Sequence, residues 1–361
     1  MIGIITALMA MLYAYVEARF VLVLAVPVWV KVIFSFFLGL GIFNLIVVLQ
    51  WGYLLPEWVW RLFSIAQVLL IYALLATIVL DVLRLFHVHT TSVAIGLAVV
   101  CLGAAAYAGW HAASLPIVKE VLIESDRLPA DWQPLKIVQL TDLHIGQGFN
   151  QKWLKQVVDK TNALQPDVIV ITGDSIDNTV DQLLAQMEPL GQLKAPLGVY
   201  MVFGNHEYYY GPDAWKEAFE KMGISVLHQK HVLLRSGAQT VALGGGTWGA
   251  RYHPKRQDAR LREIFDGVQS DVPRILLAHY PAVFPAAAQQ DVLLQLSGHT
   301  HGGMTFPINL ITKAFNSGYL RGLYQEDGRF LYVSDGTGLW GGLPARIGTQ
   351  NEIMLITVKR P

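Results

Sequence analysis

The sequence predicts an N-terminal all-α transmembrane bundle of about four helices, followed by an α/β domain. Three observations predict it: charged residues are sparse in the first third, four apolar segments occupy that third, and β-branched runs alternate with helical patterns afterwards. The 361 residues include 27 basic and 27 acidic side chains, so the formal net charge is zero. This balance excludes a disordered protein and disfavours nucleic-acid binding, which usually needs a basic excess.

The first 113 residues contain very few charges. The only ones are Glu17, Arg19, Lys31, Glu57, Arg61, Asp81 and Arg84. The uncharged segments are Ile2–Val16, Val32–Leu55, Leu62–Leu80 and Thr91–Trp110. A helix needs about 20 apolar residues to cross the hydrocarbon layer, and the last three segments reach that length. The first could extend toward Val26 if Glu17 and Arg19 pair or reach the interface.

These segments predict a multi-pass integral membrane protein. In a bacterial cell, we expect it in the inner membrane. The alternative, a buried bundle in a soluble protein, is disfavoured because such helices keep a polar face. Basic residues are spread too evenly between the loops to decide which side of the membrane holds the rest of the chain. The single cysteine, Cys101, excludes an intrachain disulfide and a cysteine-built zinc site. We predict a transmembrane domain over 1–113, a linker over 114–134 and an α/β domain over 135–361.

Strand and helix patterns alternate after residue 134. The runs "LKIVQLTD", "DVIVITGD" and "GVYMVFGNHE" predict strands, and residues 150–164, 181–193 and 213–222 predict helices between and after them. This alternation predicts an α/β core with crossover connections. Later strands are predicted by "TVALGGG", "RILLAHYP", "DVLLQLSGHTH", "RFLYVSD" and "NEIMLITV", which two sheets packed between helices would accommodate.

Five of the predicted strands end in side chains that commonly bind metals. Such strand ends converge at one edge of an α/β sheet. If the segment is extended, Asp142 and His144 point the same way, as do His299 and His301. One histidine alone is more often a surface or core residue, but five strand ends repeat the pattern in a chain with 11 histidines. The candidates are Asp142, His144, Asp174, Asn205, His206, His279, His299 and His301.

Ligands of these types predict a transition-metal centre. Mixed imidazole, carboxylate and amide ligation suits manganese, iron, zinc or nickel better than calcium. The number of ligands exceeds what one ion needs and indicates two divalent or transition metal ions about 3.5–4 Å apart. Such a pair lowers the pKa of a bridging water and neutralises phosphate oxygens.

The ligand blocks resemble those of the calcineurin-like metallophosphoesterase superfamily. The blocks are D-x-H at Asp142, G-D at Asp174, G-N-H-E at Asn205, a lone His279 and G-H-x-H at His299, in family order over roughly residues 135–358. Within the superfamily the chain is most similar to a bacterial branch with multi-pass N-terminal helices and a "GHTHGG" block.

The resemblance implies a four-layer α/β/β/α sandwich and a set of residue roles. It implies that Asp142, His144 and His301 hold the first metal and that Asp174 bridges. Asn205, His279 and His299 would hold the second metal. His206 would protonate the leaving oxygen or stabilise the transition state, and Asp177 would orient His206.

The sequence departs from one branch of the superfamily. Asn178 stands where Ser/Thr protein phosphatases carry a phosphate-binding arginine, which weakens a phosphoprotein-phosphatase interpretation. Arg251, Arg321 and Arg346 are candidates to replace that arginine, although each reads as a solvated surface residue. The run Ser334–Gly348 resembles a C-terminal loop of the bacterial branch that would wall one side of the site.

The resulting hypothesis is a membrane-anchored dinuclear-metal phosphoesterase. It would hydrolyse phosphomonoester, phosphodiester or pyrophosphate bonds by direct attack of a metal-bound hydroxide. Its partners would be the lipid bilayer and a phosphoester substrate, which membrane anchoring suggests is lipid-linked. One alternative is a non-catalytic membrane sensor or scaffold that retains the metal-binding fold. Another is a transporter or channel, although the apolar segments offer no obvious polar pathway.

Overall fold

The computed structural model describes residues 2–51, 54–130, 132–146, 148–237, 239–246 and 257–361. The chain divides into two compact units. The helical unit comprises Met1–Ser114 and Trp340–Ile347, and the α/β unit comprises Leu115–Leu339 and Gly348–Pro361.

The helical unit contains one helix for each predicted apolar segment. These are α1 (Ile2–Val16), α2 (Val28–Trp51), α3 (Glu57–Leu85) and α4 (Thr91–Ala112). Among the described residues, α3 and α4 are long and apolar enough to cross a membrane, by length and composition only. Four spans therefore stay a prediction.

Charged side chains at the ends of these helices pair with one another. The helix α1 continues into a π-helical turn, Glu17–Val21, so the first segment does extend toward Val26. In that turn Arg19 pairs with Asp81 at 2.9 Å, and Asp81 also pairs with Arg84 at 2.6 Å. Arg19, Asp81 and Arg84 therefore form one ion-paired cluster, which lowers the cost of charged side chains on these apolar helices.

The segment Trp340–Ile347 is far along the chain yet belongs to the helical unit. Gln67 donates to the backbone oxygen of Gly342 at 2.9 Å, and Asn44 donates to Gln67. Ala345 joins the apolar core of this unit, and Arg346 is fully buried. Local sequence patterns did not predict that this segment belongs to the helical unit, because its place there depends on hydrogen bonds from two buried side-chain amides on different helices.

The α/β unit contains two six-stranded mixed sheets. The strands are β1 (Ile117–Glu124), β2 (Leu135–Leu140), β3 (Val168–Ile171), β4 (Val199–Met201), β5 (Ser225–Val226), β6 (Lys230–Ser236), β7 (Gln239–Gly246), β8 (Arg274–Ala278), β9 (Val292–Ser297), β10 (Gly322–Glu326), β11 (Arg329–Val333) and β12 (Glu352–Lys359). The first sheet has the order β1-β12-β2-β3-β4-β5 and the second β10-β11-β9-β8-β7-β6. The strands β2 to β5 run parallel, as do β7, β8, β9 and β11. The predicted α/β fold is confirmed in this form.

One apolar core joins the facing sides of the two sheets. It contains Val168 and Val170 from β3 together with Leu294 and Leu296 from β9. Gln139 adds a polar link, since its amide donates to Ser297 O of the second sheet at 3.0 Å. The two sheets therefore hold their strand ends in a common frame.

Seven helices accompany the sheets in the described part of the α/β unit. They are α5 (Gln151–Ala163), α6 (Val180–Met187), α7 (Asn205–Tyr209), α8 (Pro212–Lys221), α9 (Gln257–Ile264), α10 (Phe284–Gln289) and α11 (Ile308–Phe315). The helix α5 begins where Asn150 accepts a hydrogen bond from Trp153 N, and it buries Leu154 and Val157. The helices α9 and α10 pack on the other face of the second sheet, against Ala242 and Leu276.

The predicted linker over 114–134 includes one strand. It contains β1, which pairs in parallel with β12 from Ile117↔Glu352 to Glu124↔Lys359. The strand β1 is a half-exposed edge strand with Lys119 and Glu120 in it, and its partner is at the far end of the sequence.

Candidate metal centre

The candidate ligands follow the carboxyl ends of parallel strands. Asp142 follows β2, Asp174 follows β3, and Asn205 begins α7 after β4. In the second sheet His279 directly follows β8, and His299 follows β9. Because the sheets face each other, these ends lie at one edge of the α/β unit.

Left-handed backbone conformations turn the ligand loops. The residues Asp142, His144, Asp174, His299 and His301 have φ angles of 52°, 47°, 52°, 72° and 49°. Aspartate and histidine tolerate this region better than most residues, yet it costs on the order of 1–3 kcal/mol at each position. The premise that Asp142 and His144 lie in an extended segment is therefore wrong, since β2 ends at Leu140. The two side chains converge because the backbone is bent.

The first group of donor atoms comes from Asp142, His144 and His301. The Nε2 atoms of His144 and His301 lie 3.2 Å apart, and His301 Nε2 lies 3.6 Å from Asp142 Oδ1. Asp142 is fixed in place because it accepts hydrogen bonds from Thr141 Oγ1 at 2.8 Å and from His299 N at 3.1 Å. All three ligand side chains are buried.

The second group comes from Asp174, His279 and His299. His279 Nε2 lies 3.1 Å from Asp174 Oδ2 and 3.2 Å from His299 Nδ1. His279 Nδ1 donates to Thr172 O at 2.8 Å, so Nε2 is the ring nitrogen that could bind a metal. Asn205 is near this group through Tyr280, whose hydroxyl donates to Asn205 Oδ1 at 3.4 Å and whose ring is 4.5 Å from the ring of His299.

These donor sets fit two metal ions. Adjacent ligands on a metal with bonds of about 2.1 Å lie roughly 3.0–3.4 Å apart, close to the separations within each group. His144 uses Nδ1 on Asp177, so its Nε2 lone pair faces that of His301 unless a cation or proton lies between them. Asp174 Oδ2 lies 3.9 Å from His144 Nε2 and 3.1 Å from His279 Nε2, so it is close to both groups.

Asp177 connects two histidines. Its carboxylate accepts from His144 Nδ1 at 3.0 Å and contacts His206 Nδ1. His206 Nε2 remains 3.9 Å from Asp174 Oδ2, and His206 N donates to Asp174 Oδ1 at 2.9 Å. Asp177 thus contacts a candidate ligand of the first group and the predicted general acid together, whereas the sequence suggested only its partnership with His206.

The electrostatic field of the site is strongly negative. Burial opposes the charged form of His206, but the charges of Asp174 and Asp177 outweigh it and raise its pKa to about 10. Burial likewise lowers the pKa of His279, and Asp174 overcomes this and raises it to about 9. Burial and the neighbouring His279 lower the pKa of His299 to about 3. The field that favours protons on His206 and His279 also favours cations.

Comparison with known proteins agrees with this geometry. The calcineurin-like phosphoesterase family matches residues 135–303. An uncharacterised metallophosphoesterase of Bacillus subtilis is 33% identical over 256 residues, which cover 66% of this chain and 84% of that protein. The chain belongs to the calcineurin-like metallophosphoesterase family.

Two eukaryotic relatives are named as transmembrane proteins. A transmembrane protein with metallophosphoesterase domain from Danio rerio is 36% identical over 267 residues, covering 71% of this chain and 60% of that protein. Its counterpart from Bos taurus is 36% identical over 255 residues, covering 67% and 57%. The chain thus spans little more than half the length of these curated relatives.

Glu207 is a residue of the metallophosphoesterase site to which we assigned no role. Its buried carboxylate accepts hydrogen bonds from three backbone amides: Asp174 N at 3.0 Å, Ser175 N at 2.6 Å and Gly204 N at 2.8 Å. It therefore ties the loop after β3 to the start of α7. Glu207 stands three residues after the N-cap Gly204 and accepts from its N–H, which is the glutamate half of a capping box; a glutamate at this position of a helix start is the signal that could have identified it.

Two glycines allow the metallophosphoesterase blocks to approach closely. A Cβ on Gly204 would lie 2.2 Å from Asp174 Oδ1, and one on Gly298 would lie 2.2 Å from Asp142 Oδ2. Thr337 N and Gly338 N donate to Thr141 O and Asp142 O at 2.7 and 3.0 Å. This part of the run Ser334–Gly348 therefore lies against the first metal block.

The three arginines proposed as phosphate-binding candidates differ in their surroundings. Arg251 lies outside the described residues. Arg321 is exposed and donates to Gly348 O. Arg346 is not a surface residue as predicted, because it is fully buried within the helical unit. Asn178 accepts from Thr179 N at 2.9 Å through its side chain and stabilises the local turn.

Proposed function

We propose that this protein is a membrane-anchored phosphoesterase that uses two divalent or transition metal ions, drawn from manganese, iron, zinc and nickel. The observation that carries the proposal is the convergence of two largely buried donor groups, one with Asp142 and His301 and one with His279 and His299, on either side of Asp174. Two bound cations would supply an activated water and neutralise the charge of a phosphate group. We propose the assignments of the first and second metal as the family resemblance implies them, with Asn205 in the second set.

In this proposal His206 is the general acid. Asp174 and Asp177 hold it protonated, and Asp177 fixes its Nδ1 so that Nε2 is the atom that can give a proton to the leaving oxygen. Two cations nearby would lower its pKa toward the physiological range, where a general acid works best. His206 thereby acts without being needed as a ligand.

We further propose that the α/β unit is a four-layer sandwich behind about four spans and that the substrate is a lipid-linked phosphoester. Two long apolar helices on the same chain support anchoring at a bilayer, where lipid headgroups are the most concentrated phosphoesters. The bond cleaved would be a phosphomonoester, phosphodiester or pyrophosphate bond.

The test is a substrate panel on the full chain purified in detergent and reconstituted with each metal in turn. The panel contains p-nitrophenyl phosphate, bis-p-nitrophenyl phosphate, nucleotides and lipid phosphoesters. We expect metal-dependent cleavage of a lipid phosphoester, lost in Asp174→Asn. Activity confined to soluble nucleotides would refute the lipid substrate. No hydrolysis of any member, with two metals bound, would instead favour the non-catalytic sensor or scaffold.

A further inference from the structure

The helix α11 has its apolar face turned to solvent. Leu310, Ile311 and Phe315, three of its four large apolar side chains, are 59%, 52% and 85% exposed. Ile308, Asn309 and Thr312 are the partly covered residues of the helix. No residue of α11 is buried.

This arrangement is the reverse of that in an ordinary surface helix. In the same unit, α8 follows the usual rule: it buries Trp215 and Phe219 and exposes Lys216 and Lys221. Apolar side chains gain roughly 25 cal/mol for each Å² removed from water, so the outward face of α11 is costly in water unless something covers it. Phe306, 62% exposed just before the helix, extends the same apolar surface.

The helix is fixed to the metal-binding block rather than hanging free. Gly303 has a φ of 77°, and a Cβ there would lie 2.6 Å from Asn309 Cα, so the backbones are in close contact. Asn309 N also donates to Thr305 O at 3.0 Å. The exposed face therefore keeps a defined position relative to His301, two residues before Gly303.

The charges around α11 suit a membrane surface. No acidic residue lies between Asp291 and Glu326 in the sequence, whereas Lys313 is on the helix and Arg321 follows it. An amphipathic helix with aromatic and aliphatic residues on one side and a lysine at the border is typical of segments that lie in the lipid interface. A lysine near the surface is attracted by anionic headgroups.

We propose that α11 and Phe306 form an interfacial docking surface that inserts into a lipid bilayer. The bilayer is the favoured occupant because the same chain carries two helices long and apolar enough to span one, and such spans would tether the α/β unit to a bilayer. The charge pattern adds to this, since a stretch of sequence without acids that contains Lys313 matches anionic lipid. Docking would hold the candidate metal-binding block at the depth of the headgroups; docking rests on the membrane anchoring in the proposed function but not on the phosphoesterase activity.

The direct test uses site-specific fluorescence quenching in the full chain. Cys101 is the only cysteine, so a Cys101→Ala background allows single labels at Leu310→Cys and Phe315→Cys, with Leu233→Cys and Leu184→Cys as exposed apolar controls on the same unit. The labelled protein is placed in nanodiscs of phosphatidylcholine and phosphatidylglycerol containing doxyl lipids. We expect severalfold stronger quenching by doxyl lipid at Leu310 and Phe315 than at the controls, and weaker quenching by iodide. Equal quenching at all four positions would overturn the proposal.

A second measurement separates docking from chemistry. Leu310→Glu with Phe315→Glu should lose severalfold of the turnover of lipid phosphoester in vesicles while p-nitrophenyl phosphate hydrolysis in detergent is unchanged. If no substrate is hydrolysed by the wild type, the proposed function fails but the quenching result still decides docking. If lipid quenching is absent and the double variant has half the molecular mass in light scattering, the face is a contact between two copies and the proposal is wrong.

Discussion

Replacing Glu207 by Gln tests the inference that one buried carboxylate holds two metal-binding loops together. One of its oxygens accepts from Asp174 N and Gly204 N, and the other accepts from Ser175 N. Glutamine keeps the shape and can place its oxygen toward the first two amides. Its NH₂ group then faces Ser175 N, so one donor is left without an acceptor in a buried site.

The loss of one buried hydrogen bond to a charged acceptor costs about 2 kcal/mol. For a unit of this size that lowers the melting temperature by about 4–8 °C. The assay is thermal unfolding followed by tryptophan fluorescence in detergent at pH 8, which is above the pKa of about 6 to which burial and Asp174 raise Glu207.

The control is Glu217→Gln, on the exposed face of α8, where the glutamate pairs only with Lys221 at 2.6 Å. Exposed pairs contribute little, so its melting temperature should stay within about 1–2 °C of wild type. Glu207→Ala removes both acceptor oxygens, and with them all three hydrogen bonds, so it should be less stable than Glu207→Gln. Equal stability of Glu207→Gln and Glu217→Gln would refute the role assigned to Glu207.

Three further perturbations follow from the same geometry. His206→Ala should lower turnover by about 10²–10⁴-fold, because the general acid is lost, while metal content measured by mass spectrometry stays at wild-type level. Gly298→Ala should lose metal from the first group, since the added Cβ would collide with Asp142 Oδ2, and the metal-to-protein ratio measures this. Chelation by EDTA should cost about 5 kcal/mol if two ions were each present at one hundred times their dissociation constants, seen as a fall in melting temperature.

Three results would contradict these predictions. Metal lost together with turnover in His206→Ala would make that histidine a ligand. A wild-type metal ratio in Gly298→Ala would mean that the strand-end loops can move apart. The control for handling is Gly191→Ala, where a Cβ would make only ordinary contacts at 3.6 Å or more. An unchanged melting temperature after EDTA would contradict metal binding by the folded protein.

The α/β fold was predictable because its signals are local. The pattern of β-branched runs ending in Asp or His, with helical periodicity between them, located β2, β3 and β4 and the helix α5. The strands that were missed are short or at edges: β1, β5, β6 and β10. Edge strands are half-exposed and polar on one side, so they lack the continuous apolar run by which buried strands are recognised.

The candidate site was predictable for a different reason. Its ligand types are rare enough that their repetition at five strand ends stands out, and parallel strands bring their carboxyl ends together whatever the loops do. The predicted ligands of both groups converge in the structure, and their metal assignments stay proposals. Glu207 and Tyr280 were overlooked because their partners are backbone atoms or residues distant in sequence.

Sequence by itself determined the α/β class of the chain after residue 134 and the chemical types at its strand ends, because periodicity and residue chemistry act over short distances. Tertiary structure alone decided that the ligand loops are left-handed rather than extended, that Trp340–Ile347 enters the helical unit, and that α11 turns its apolar side outward. These features depend on contacts between residues that are distant in sequence, and a local sequence pattern does not reveal such contacts.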